Sequence, residues 1–282
     1  MMTRLRPTLL FAAAALALPL AANAQRIEQT YAVPDDVGIE LRNLAGRVQF
    51  HSWPQRELRL VALQHTRAVE IHLTESPRRI HIHTHLLQNS VPASERAVDY
   101  EIWAPPTANL KINLESGTLL VENFSNDVTV DAVAATVTLR HLTGYTAVKT
   151  LNGSVTAERC AGRLEATSIS GTLRFLETDT RFLVAETVAG DISYQGSFRH
   201  GGDYSFRSHE GTIEMLVPGS ASFELHANST HGEVISELPF KPRTHGRAPR
   251  SPGLRSLLGT VNSSDAMVRA TSFSGTIHLR KK

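Results

Sequence analysis

One cysteine in 282 residues, Cys160, excludes any intramolecular disulfide, so the fold must rest on its own packing. With no His or Asp beside it to act as a base, Cys160 reads as a buried structural thiol. The apolar run in the first two dozen residues is too short and wrongly flanked for a membrane span, and no other apolar stretch reaches spanning length. The chain also lacks a G-x-S-x-G elbow, an H-E-x-x-H pair, a phosphate-binding P-loop and a dinucleotide fingerprint, which removes the commonest enzyme signatures. A large excess of positive charge is missing too. There are 29 Lys and Arg against 27 Asp and Glu, and two of the cations, Arg4 and Arg6, lie in the first 24 residues, which hold no acid. The remainder is balanced, which gives no support to nucleic acid as a partner.

Those first residues carry Arg4 and Arg6, an apolar run from Leu9 to Leu20, and Ala22-Asn23-Ala24. That order is a secretory signal peptide over 1–24, with export to the periplasm or cell surface as its consequence. Gln25, not a cysteine, follows the cut, which argues against a lipid anchor. No cofactor motif is present.

What the sequence has in quantity is periodicity. A small or turn-forming residue returns every nine positions at Gly117, Asn126, Ala135, Gly144, Gly153, Gly162 and Gly171. The beat loosens through Gly190, Gly211 and Gly232, returns at Gly275, and has an early copy at Gly46. Around Gly171 the apolar positions are Leu164, Ala166, Ile169, Leu173 and Phe175. The same offsets from Gly190 give Leu183, Ala185, Val188, Ile192 and Tyr194, and from Gly275 they give Val268, Ala270, Phe273, Ile277 and Leu279. Around Gly211 one polar residue, His209, intrudes. Spacing of two on either side of the glycine is strand spacing, so each copy is strand, turn, strand. The glycines fit turns with positive φ, and copies with one apolar face must stack to bury it. The expected fold is all-β, a single-stranded β-solenoid with about 18–21 residues per coil. A sandwich of evenly spaced strands is the competing reading. Residues 25–104 read as a β-rich N-terminal cap and 105–282 as the regular coils.

Two features stand apart from the beat. Residues 239–259 are rich in proline and carry Lys241, Arg243, Arg247, Arg250 and Arg255, which predicts a surface loop without a strand ladder, able to meet an anionic polymer or lipid headgroup of the envelope. His81, His83 and His85 alternate along one strand and share a face, with neighbours roughly 7 Å apart. Joined by His72 and His65 from earlier strands, they are candidate ligands for Zn²⁺ or Cu²⁺; a plain solvated polar face is the other reading.

The signal sequence, the segment Gly46 to Phe50 followed by Trp53-Pro54, the Thr-x-Ser-Gly-Thr type repeats and the closing Thr271 to Ile277 together resemble a bacterial β-solenoid family of unknown function, commonly labelled "putative adhesin". The resemblance covers nearly all of the chain beyond residue 24. It implies a cell-envelope protein that binds an envelope protein or polysaccharide, and it brings no catalytic residues. Two further expectations stay open. One is a structural or envelope-stress module that associates with itself or with a partner through solenoid edges. The other is a polysaccharide-acting enzyme using Glu158, Glu165, Glu177 or Asp191 with Arg163 and Arg174 on an outer face.

Overall fold

The computed structural model describes residues 25–88, 91–92, 95–242 and 255–282. Residues 1–24, where a signal sequence is expected, lie outside the described residues, as do Arg243, Arg247 and Arg250. The described chain is a β-solenoid built from 23 strands. In each coil one strand lies on a first face and the next on a second face, with a corner between them.

The coils follow from the repeat. Strands β8 (Asn109–Glu122) and β9 (Val128–Arg140) each run round the corner to serve both faces. The following coils divide there: β10 (Tyr145–Thr150) with β11 (Val155–Glu158), β12 (Ala161–Ser168) with β13 (Leu173–Leu176), β14 (Asp179–Thr187) with β15 (Ile192–Gln195), and β16 (Asp203–Ser208) with β17 (Ile213–Val217). All pair in parallel with the coil before. Residues paired between neighbouring coils lie 18 apart at Arg140 and Glu158, and 21 apart at Glu186 and Arg207. The wider coil carries the segment 196–202, whose Phe198 stacks on Tyr194 at 4.9 Å and meets Phe223 at 4.8 Å. The wider coil thus has an aromatic cluster of Tyr194, Phe198, Tyr204 and Phe206, where the β10/β11 coil holds Val148, Val155 and Ala157.

Chain order is not spatial order at either end. The first coil, β2 (Gly38–Asn43) and β3 (Arg47–Ser52), lies between β8 and a later pair, β6 (Arg79–Leu86) and β7 (Val98–Ala104). Antiparallel strands close that end. β5 (Val69–Ser76) covers β6, while β4 (Glu57–Gln64) covers β7 and carries β1 (Gln25–Ala32). At the far end the last coil in sequence, β22 (Met267–Ser272) with β23 (Ile277–Lys281), inserts between the β16/β17 coil and that of β18 (Phe223–Ser229) with β19 (Val234–Ser236).

The proline-rich insert differs from expectation at its ends. β20 (Lys241–Pro242) pairs with β21 (Ser256–Val261), which pairs antiparallel with β18. Pro242 is compatible with a ladder because β20 is the outermost strand, where a missing donor costs nothing inside the sheet. This hairpin covers the β18 edge, which would otherwise present unpaired backbone groups.

The nine-residue beat is half a coil, because alternate members belong to two different corners. At one corner Gly46, Gly117, Ala135, Gly153, Gly171, Gly190, Gly211, Gly275 and Gly232 stack in spatial order; at the other Asn126, Gly144 and Gly162 stack. Positive φ explains only some of them: Gly46 and Gly117 have φ of +118° and +119°. Gly171 does not share that conformation, contrary to the reading of the glycines as positive-φ turns. It is required by close approach, since a Cβ there would overlap the carbonyl oxygen of Gly153.

Candidate functional site

The exposed side of the glycine corner is built by a change of phase. Within each repeat the buried residues lie seven, five and three positions before the glycine, and two and four after it. Around Gly171 these are Leu164, Ala166, Ser168, Leu173 and Phe175. The residue two before the glycine is therefore outside. Ile169 is 49% exposed, Val188 48%, Leu151 45%, Val133 45% and Phe273 44%. Ile169, Val188 and Phe273 were expected in the core; the structure places them in an outer row. His209, which looked like an intrusion, belongs to this row and costs nothing there. Its ring stacks on Phe273 at 4.6 Å with 8° between planes, and His231 meets the other side of Phe273 at 4.6 Å.

The backbone holds this row in register. The amides of Leu151, Ile169, Val188, His209 and Phe273 donate to Ala132, Thr150, Ser168, Thr187 and Ser208 of the neighbouring coil at 3.2–3.3 Å. Behind the row runs an inward column of hydroxyls, which apolar spacing alone does not show: Thr150, Ser168, Thr187, Ser208, Ser272 and Ser229. The signal is present as Ser/Thr three residues before each glycine of this corner from Gly153 onward, whereas Gly46 and Gly117 have Asn43 and Leu114 there. The Ser208, Ser272 and Ser229 hydroxyls accept from the amides of Gly211, Gly275 and Gly232 at 2.7, 2.9 and 3.0 Å, fastening the turn. Those of Thr150, Ser168 and Thr187 are buried without a hydrogen-bond partner among the described residues.

Two residues before the apolar row, on the same outer surface, runs a polar row. In spatial order it reads Arg42, Asn113, Asp131, Lys149, Thr167, Glu186, Arg207, Thr271 and Asn228. Between the two rows lies a groove of about 560 Å³, lined by Arg42, Asp131 and Lys149 on one side and by Leu44, Val133 and Leu151 on the other. Its upper end is fixed by a buried network. Thr84 Oγ1 donates to Asn43 Oδ1 at 3.0 Å and lies 2.7 Å from the Tyr100 hydroxyl, while Asn43 Nδ2 donates to the carbonyls of Ala45 and Val98. Burial pushes the Tyr100 phenol up to about 12, so it stays protonated. Asn113 Nδ2, on the groove wall, is buried without a hydrogen-bond partner among the described residues.

Other candidates are placed differently. His81 Nδ1 is 3.2 Å from Glu40 Oε2, whereas the rings of His83 and His85 lie 3.9 Å apart and His72 meets His85 edge-on at 4.8 Å. Among the described residues no group of three or more His, Cys, Asp or Glu has an arrangement that could hold a metal ion. His65 is bonded instead to Asp99 at 3.0 Å. Desolvation first, then the charges of His85, Arg42 and His72, lower the pKa of His83. The acids considered for catalysis are engaged with neighbours: Glu158 with Arg140 at 2.9 Å, Glu177 with Arg159 at 3.3 Å and Glu165 with Arg163 at 2.7 Å. Asp191 accepts the Thr212 amide at 2.8 Å. Of the basic insert, Lys241 and Arg255 are described, and both are exposed.

The family model for Toastrack DUF4097 matches residues 58–280, most of the coiled chain. The chain belongs to the Toastrack DUF4097 family. Among solved structures, this Toastrack chain is similar to one described as a putative adhesin from Bacteroides fragilis, at 12% identity and a TM-score of 0.54, covering 93% of this chain and 99% of that one. Two others are a putative adhesin from Parabacteroides distasonis (11% identity, TM-score 0.41, 91% and 98% covered) and a putative cell adhesion protein from Clostridium sporogenes (9% identity, TM-score 0.30, 92% and 100% covered). At these identities the likeness is one of fold. No curated protein matches the sequence. Among the described residues no helix is long and apolar enough to cross a membrane.

Proposed function

We propose that this Toastrack chain is an exported, non-enzymatic interaction scaffold of the bacterial envelope, and that the glycine-corner surface is where it makes contact. The observation that carries this reading is the exposed apolar row beside the groove. A solenoid buries one side of every strand and solvates the other, so an outward position that is apolar in coil after coil exposes surface at a hydration cost that a folded monomer does not need. Rows of this kind mark contact sites. The parallel ladder behind it keeps the side chains about 4.8 Å apart from coil to coil, so the surface is organised before a partner arrives. The adhesin descriptions of the structural relatives are compatible with this reading, as is the signal sequence.

The test is co-sedimentation of the purified protein with envelopes of its native host. Ile169→Asp, on the row, is compared with Thr156→Asp, a half-buried position on the other face. Loss of binding in Ile169→Asp alone supports the reading. Equal binding by both variants and the unmodified protein refutes it. A fusion of residues 1–24 to a reporter active only outside the cytoplasm tests export separately.

A further inference from the structure

We propose that the partner of the glycine-corner surface is a second copy of this chain, docked face to face with the two solenoid axes antiparallel. This rests on the reading of that surface as the contact site and names its occupant.

The argument comes from the order of charges along the polar row. Taken from Arg42 to Asn228, the signs are positive, neutral, negative, positive, neutral, negative, positive, neutral and neutral. About the central residue, Thr167, this order is antisymmetric. Lys149 and Glu186 lie one coil to either side, Asp131 and Arg207 two coils, and the neutral Asn113 and Thr271 three coils. Only Arg42 faces a neutral counterpart, Asn228.

A two-fold axis through Thr167, lying in the interface and parallel to the strands, reverses the solenoid axis and turns the two faces together. Each row then meets its own copy in reverse order. Lys149 faces the second copy's Glu186, Asp131 faces its Arg207, and each contact occurs twice by symmetry. No like charges meet on this row. The same operation puts Ile169 against its own copy, Leu151 against Val188, and Val133 against His209. The most exposed apolar side chains of the row, Ile169 and Val188, thus fall at or next to the centre, the place occupied by apolar anchors in protein interfaces. Glu115, which interrupts the apolar row, falls towards the far end, opposite Phe273. A parallel pairing in register would instead set each charged coil against its own like charge.

Within one chain Arg42 is bonded to Glu40 and Glu186 to Arg207, whereas Asp131 and Lys149 have no ion-pair partner among the described residues. The second copy's Arg207 and Glu186 supply one to each. Charge complementarity of this kind sets register and orientation, and the apolar row supplies the surface to bury.

The experiment is sedimentation velocity and light scattering on the purified chain, with circular dichroism to confirm that each variant is folded. The unmodified protein is expected to dimerise. Ile169→Asp and Lys149→Glu lose the dimer, the latter by placing like charges together at two symmetric points. The swap Lys149→Glu/Glu186→Lys regains it. Orientation is tested by disulfide trapping under oxidation. The double variant Val133→Cys/His209→Cys cross-links between chains, whereas either single variant, with its thiols about 19 Å apart across four strand steps, does not.

A monomer at all concentrations overturns the proposal. So does a dimer indifferent to Ile169→Asp and Lys149→Glu, or cross-linking by the single variants, which marks a parallel pair. A monomeric protein whose Ile169→Asp variant still loses envelope binding overturns the dimer while leaving the contact-surface reading intact.

Discussion

Replacing Gly171 by alanine tests why this corner is glycine. Its Cβ would overlap the Gly153 carbonyl oxygen and approach the Ser168 hydroxyl, so the two coils must part locally. The contacts at risk are the ladder bonds from Ile169 to Thr150 at 3.2 Å and from Ser170 to Leu151 at 2.9 Å. At a net of about 1 kcal/mol per bond, plus strain of similar size in the displaced backbone, the loss is about 2–4 kcal/mol. For a chain of this size that lowers the melting temperature by roughly 4–15 °C. Gly201 is the informative control. It has φ of +70° with nothing within 4 Å of an added Cβ, so Gly201→Ala meets only the left-handed backbone penalty of about 1–2 kcal/mol. If close approach governs, Gly171→Ala is the more damaging change in urea denaturation followed by circular dichroism. Should Gly201→Ala prove worse, or Gly171→Ala leave the midpoint unchanged, the stacking argument is wrong.

Three further outcomes are expected. Tyr204→Phe removes a buried hydroxyl that donates to the Thr180 carbonyl and accepts the Arg199 amide at 2.9 Å, leaving both without that partner; denaturant titration should show a loss of about 1–3 kcal/mol. Burial pushes the Cys160 thiol up to about 11, so a thiol reagent should leave it untouched in the native protein at neutral pH and react with one equivalent once the chain is unfolded; fast native reaction would contradict the buried placement. His83 should titrate below its ordinary value of 6.5 in an NMR pH series, because desolvation and neighbouring positive charge disfavour its charged form. The unfolded chain then takes up that proton at a higher pH than the folded one, so stability falls as pH drops through about 6.5. His83→Gln should flatten that part of the curve.

Much of the fold is legible in the residues. Period-two alternation on both sides of a recurring glycine, copy after copy, leaves little but stacked coils. The offsets from Gly171 and Gly190 name most of the core correctly, because burial of one strand face is a local property of alternation. At the glycine corner two signals in the sequence disagree. Ile169, Val188 and Phe273 are apolar, which favoured the core, yet they lie an odd number of positions from the buried Ala166, Ala185 and Ala270. Alternation alone puts them outside. Parity decides, because a pleated strand must turn alternate side chains to solvent whatever their hydropathy, and the outer row follows from it.

The sequence by itself determined the coil, its length and the inward column, since these depend only on residues within one repeat. Tertiary structure decided what depends on residues far apart in the chain. The placement of β2/β3 and β22/β23 inside the stack is a pairing among coils that all present similar ladders, and no local pattern distinguishes them. The need for glycine at position 171 comes from a carbonyl one coil away. The order of charges along the outer row exists only once Thr271 and Asn228 are known to follow Arg207 in space, although the chain reaches Asn228 first.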